Sequence, residues 1–222
     1  MKNQQQGFTL VEIAIVLVII GLLLGGVLKG QELINSAKVK NLANDFRTVP
    51  LYIYGYQDKF KALPGDDGGV ASHITGGTQA TTPASAQGNG VIDGNWNTVT
   101  LTDESMLFWQ HVRLAGLATG STVVAADATY WPTNADGGRI GIESGSAHFI
   151  KNSDGTFLQG SYVVCSSGVL GKFAKQLDTT MDDGNTDTGS MRVVTTNHTR
   201  GNAAVARKDV DDATSYVVCM GL

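Results

Sequence analysis

The sequence predicts an α+β fold, with one long N-terminal α-helix packed on a C-terminal antiparallel β-sheet. Three observations carry this. From Phe8 to Leu28 every residue is apolar, Gly or Thr, with the single exception of Glu12. From Leu33 to Phe60 apolar residues recur at mostly helical spacing among charged ones. Beyond Gly120 the chain breaks into short Val- and Ile-rich runs separated by Gly-rich turns, as antiparallel strands do.

The first run sets the terms for the rest. At ~1.5 Å per residue, a helix over residues 8–28 is ~30 Å long, the thickness of a bilayer's hydrocarbon core. Glu12 lies near one end of it, and a carboxylate in lipid costs ~2.5 kcal/mol or more unless it is paired. A cleavable secretory signal would have a basic leader, a shorter apolar core and a small-residue cleavage site after that core. Here the leader MKNQQQ holds one Lys, the run is long, and Lys29, Gln31 and Glu32 follow it. The helix is therefore expected to be retained as an anchor. Within it, Gly21, Gly25, Gly26 and Gly30 make G-x-x-x-G spacings. These suit either close helix–helix packing in the membrane or local melting, since each Gly costs ~1 kcal/mol in a helix interior.

The string GFTLVE, Gly7 to Glu12, resembles the N-terminal signal of type IV pilins and type II secretion pseudopilins. The resemblance is specific over Gly7–Leu28 and weakens along the chain. It implies a pilin-like fold divided into a leader (1–7), a transmembrane and filament-core half-helix (8–28), an amphipathic half-helix (29–62) and a globular head (63–222). It further implies that a prepilin peptidase/methyltransferase cuts after Gly7 and methylates Phe8. The partners it implies are an inner-membrane assembly platform and copies of the same chain in a helical filament, with Glu12 neutralising the Phe8 amine of a neighbour. The precursor would sit in the inner membrane with its head in the periplasm, and the product would be an extracellular or periplasm-spanning filament. A surface pilus subunit, a secretion pseudopilin and a minor tip subunit acting as an adhesive or DNA-binding module all share this signal.

Down the chain, the apolar stripe is read as Leu33, Ala37, Leu42, Phe46, Val49, Ile53 and Phe60. Pro50 is expected to kink the helix or interrupt its hydrogen bonding, and ALPGDDGG to close it. Residues 65–98 read as a long loop. Within it Gly88–Trp96 offers Asn89, Asp93 and Asn95 but lacks the terminal Glu of a calcium loop, so it is read as a turn. Thr102 is the expected N-cap of a helix bearing Leu107, Phe108, His111, Leu114 and Ala115 on one face. The runs STVVAA, RIGIES, AHFIKN and FLQGSYVVC then suggest a meander. VLGKFAKQLDTTM suggests a helix with Leu170, Phe173, Ala174, Leu177 and Met181 on one stripe, and MRVVTTN and SYVVC suggest closing strands. Cys165 and Cys219 end two SYVVC runs. Outside the cytoplasm they would pair, as the resemblance also implies, and otherwise they are two buried thiols.

Composition narrows the function classes. With 222 residues, 42% hydrophobic, the chain can bury one sizeable core besides the anchor. A net charge of −4 argues against a broad nucleic-acid-binding face. His73, His111, His148 and His198 are scattered, and neither H-E-x-x-H nor G-x-S-x-G occurs, so no enzyme is expected. No cofactor is required. The acidic turn of Asp178, Asp182, Asp183, Asn185 and Asp187 is the candidate for a structural calcium, whose binding would raise the melting temperature. Trp96, Trp109, Trp131 and the long loop are what a ligand-binding tip subunit would use.

Overall fold

The computed structural model describes residues 9–145 and 149–222. Helix α1 spans Leu10–Phe60 without interruption. Its contacts divide the chain into two units that meet between Lys38 and Val39. In the first unit every residue from Leu10 to Leu28 is exposed. A Cβ placed on Gly21, Gly25, Gly26 or Gly30 would meet nothing within 4 Å.

In the second unit α1 becomes amphipathic in earnest. Val39, Leu42, Ala43, Phe46, Val49, Ile53 and Tyr56 are buried, at the 3–4-residue spacing of one helix face. Leu33 and Ala37, expected on this stripe, are exposed, because the packed face begins only at Val39. Nor does Pro50 end the helix. Proline removes one donor from the ladder, while Phe46, Val49 and Ile53 around it are anchored in the core.

The segment after α1 is long but tied down. It includes the short helix α2 (Val70–His73). Asp66 accepts N–H bonds from Gly88, Asn89 and Gly90. Asp67 accepts from the Tyr56 hydroxyl at 2.7 Å and from the Gly69 N–H at 2.9 Å. Helix α3 (Glu104–Leu114) follows. Its N-cap is Asp103 rather than Thr102. The Asp103 carboxylate is occupied by the hydroxyls of Thr82 and Thr98, so it makes no cap bond of its own. Glu104 to Arg113 are all buried, not one face alone, because loops cover the side turned away from the sheet. Gly116, with φ +77°, supplies the left-handed turn that follows the helix.

The sheet comprises β1 (Ile140–Ser144), β2 (Tyr162–Leu170), β3 (Met191–Thr195) and β4 (Ser215–Gly221), with helix α4 (Gly171–Met181) between β2 and β3. All pairs are antiparallel, in the order β1-β2-β4-β3. A simple meander is therefore not what forms, since the last strand inserts between β2 and β3. Residues 121–126 form no strand. Ala147 and His148 lie outside the described residues, and the 149–160 stretch contributes only isolated bridges at Lys151 and Phe157.

Strand alternation gives the sheet two apolar faces. Ile140, Ile142, Val164, Val193 and Val218 join α1, α3 and α4 in the main core. Val163, Cys165, Val194, Val217 and Cys219 face the other way, against Phe149, Ile150 and Leu158.

Candidate functional site

The first turn of α1 is built by two side chains that satisfy each other's backbone. Thr9 N–H and its hydroxyl both donate to Glu12 Oε2 at 2.8 Å, and Glu12 N–H donates to Thr9 Oγ1 at 3.2 Å. This is a capping box, in which two orphan helix donors are satisfied reciprocally. The T-x-x-E spacing directly before an apolar run was available in the sequence as its signature, but Glu12 is there read only as a charge. Gly7 and Phe8 lie outside the described residues.

Glu12 thus sits at the start of a half-helix, Leu10 to Leu28, whose apolar side chains are exposed, among them Leu17 at 63% and Leu22 at 73%. Among the described residues α1 is the helix long and apolar enough to cross a membrane. Gly21, Gly25, Gly26 and Gly30 remain helical, and they leave shallow notches on this surface.

Cys165 and Cys219 face each other across β2 and β4 and form a disulfide. With 54 residues of separation it restricts the unfolded chain by ~4 kcal/mol on the chain-entropy estimate. Both cysteines are completely buried.

The acidic turn after α4 is organised by its own donors. Asp182 Oδ2 accepts the Met191 N–H at 2.8 Å and its Oδ1 the Ser190 hydroxyl at 3.1 Å. Asp183 accepts the Asn185 N–H at 2.8 Å and the Thr188 hydroxyl at 2.6 Å. The Thr188 bond holds the Asp183 carboxyl below its usual range. Asn185 and Asp187 line an open groove together with Lys175 and Arg207.

Asp178 is different. It is fully buried and neither oxygen has a hydrogen-bond partner. Burial, reinforced by the charges of Asp182 and Asp183, pushes its pKa up to about 7, against weaker opposing pulls from the Arg207 guanidinium and the dipole of the nearby Gly184 N–H. Nearby in the chain, burial pushes the pKa of the Arg192 guanidinium down, and the charges of Asp182, Asp183, Asp178 and Asp187 oppose that shift. In sequence Arg192 is one polar residue in a strand run, so nothing there marked it. Among the described residues no three His, Cys, Asp or Glu side chains are grouped to hold a metal ion.

The histidines have structural partners. His111 accepts the Gly65 N–H at its Nδ1, 2.9 Å, and its Nε2 donates to the Thr78 carbonyl at 2.8 Å, joining the long loop to α3. His73 pairs with Asp67 at 2.7 Å, and His198 contacts the Asn202 carbonyl at 3.1 Å. His148 lies outside the described residues.

Against known proteins, no curated protein and no solved structure matches the chain. Residues 2–28 match the family model described as the prokaryotic N-terminal methylation motif, the signal of type IV pilins and pseudopilins. That motif implies processing by a prepilin peptidase, and with the apolar helix it fits a membrane-anchored precursor.

Proposed function

We propose that this chain is a structural subunit of a pilus- or pseudopilus-type filament. It is cut after Gly7 and polymerised through the apolar half of α1. The observation that carries the reading is Glu12, the only charged side chain between Leu10 and Leu28, standing in the first turn of a helix whose apolar N-terminal half is wholly exposed. Cleavage would create an ammonium at Phe8, in the same apolar layer. Opposite charges attract strongly where the dielectric is low, and either one left alone there is costly. The capping box accounts for Glu12 in a single copy, where Thr9 supplies its donors. In a bundle of copies, the amine of a neighbour would supply the countercharge that a neutral N–H and hydroxyl cannot.

Before assembly the helix anchors the precursor in the inner membrane, with the disulfide-bonded head on the oxidising side. On assembly the same apolar surface packs against other copies. No chemical step is assigned to the head in this role, so the chain acts by assembly rather than catalysis.

The test is Glu12→Ala in cells that make the filament. The head should melt at the wild-type temperature while the chain disappears from sheared filaments. Mass spectrometry of wild-type filaments should find a mature, methylated N-terminus at Phe8. Normal filament incorporation by the mutant would remove the charge-pairing argument.

A further inference from the structure

On the sheet face turned away from the helices, the 95–97 loop and the loop after β3 enclose a cavity of about 370 Å³. That is at the small end of the ~300–1,000 Å³ range of ligand sites. Its floor is apolar, made by Phe149, Val194, Val217 and the disulfide at Cys219. Trp96 lines one side, and Asn97, Thr195 and Thr199 stand at the exposed rim.

The walls are held in place before any ligand arrives. Trp96 N–H donates to Glu143 Oε2 at 2.7 Å. The Trp96 carbonyl lies so close to β1 that a Cβ on Gly141 would come within 2.0 Å of it, so only glycine lets this loop lie flat on the strand. From the other side Arg200 pairs with Glu143 Oε1 and sits 5.0 Å over the Phe149 ring. The His198 ring meets Phe149 edge-on at 5.9 Å. Glu143, only 1% exposed, therefore fastens both loops to β1.

The charge of the lining narrows the ligand. Glu143 and Arg200 neutralise each other, and burial pushes the His198 pKa down, leaving that ring neutral near pH 7. What remains is a set of neutral amides and hydroxyls above aromatic rings. An ion gains no net charge here, and a purely apolar ligand would strip water from the rim without replacing its hydrogen bonds. A sugar ring has the complementary chemistry, with C–H faces that pack on aromatic carbon and hydroxyls that bond amides and alcohols.

We infer that this cavity binds a neutral saccharide, its C–H face against Trp96 and Phe149 and its hydroxyls bonded by Asn97, Thr195 and Thr199. The inference does not depend on the filament reading.

The test uses the full chain in a detergent without a sugar headgroup. The probes are methyl α-glucoside, methyl β-galactoside, methyl α-mannoside and N-acetylglucosamine, followed by saturation-transfer NMR and calorimetry. At least one should bind with a Kd of ~1 mM or tighter. Asn97→Ala with Thr199→Ala, both exposed and remote from the core, should weaken it at least ~10-fold, as should Trp96→Leu. The absence of binding by all four at ~10 mM would overturn the proposal. So would binding unchanged in the Asn97→Ala, Thr199→Ala protein, or preference for the anionic N-acetylneuraminic acid over every neutral probe.

Discussion

Leu17 and Phe46 belong to the same unbroken helix, yet Leu17 leaves 63% of its surface exposed and Phe46 only 1%. The N-terminal half is apolar all round and has no partner among the described residues. The later half buries one apolar stripe, from Val39 to Tyr56, in the core of the head, and leaves Leu51 and Tyr54 exposed on its other side. An all-round apolar helix is suited to lipid or to other copies of itself, and a striped one to a single packed core. The difference shows that α1 carries two kinds of surface separated by sequence pattern alone, since it is α-helical throughout.

The strongest way to break this comparison is by truncating each half in turn. Phe46→Ala should destabilise the head by ~3–5 kcal/mol, through lost burial and a cavity. Leu17→Ala should move the head's melt by no more than ~0.5 kcal/mol. Denaturant melts followed by tryptophan fluorescence measure both, and similar effects would show that the two halves are not energetically separate.

A smaller effect sharpens what the head tolerates. Asp178 carries its proton up to about pH 7 in the fold, whereas an unfolded Asp loses it near pH ~4. Between those values the folded state binds more protons than the unfolded one, so this group's contribution to stability falls as pH rises. Asp178→Asn should match the wild type near pH ~4 and exceed it by ~1–3 kcal/mol at pH ~8. Thermal melts across that range check it, and a constant difference at every pH would contradict the assignment.

The smallest effect lies at the tip of the exposed half. Thr9→Val removes the hydroxyl side of the capping box and should cost ~1 kcal/mol, confined to the first turn. Amide exchange at Leu10 to Ile13 in detergent should quicken while the head's melt stays in place. A shift in the head's melt would mean the two units are coupled.

Much of this was legible beforehand because it depends on local pattern. The apolar run, the lone Glu12, the stripe through Phe46 and Val49, and α4 with Phe173 and Leu177 each follow from spacing along the chain. Leu33 and Ala37 fit the same spacing but are exposed, since periodicity cannot say where a packing partner begins. Thr102 and Asp103 are both good caps by residue type, and only Thr82 and Thr98, distant or nearby in sequence, decide how the Asp103 carboxylate is used. The cavity beside Trp96 was out of reach for the same reason, since Glu143 and Arg200 are 57 residues apart.

The long helix, its apolar half with a lone Glu12 near the start, and the GFTLVE string of Gly7 to Glu12 can all be read from the chain alone, because they rest on short-range order and hydropathy. The folded structure is needed to see that β4 inserts between β2 and β3, placing Cys219 opposite Cys165. It alone buried Asp178 beside Asp182 and Asp183 and closed two loops over the back of the sheet. Those outcomes depend on which distant segments meet, and that is set by the free energy of burying the whole core at once rather than by any one stretch of residues.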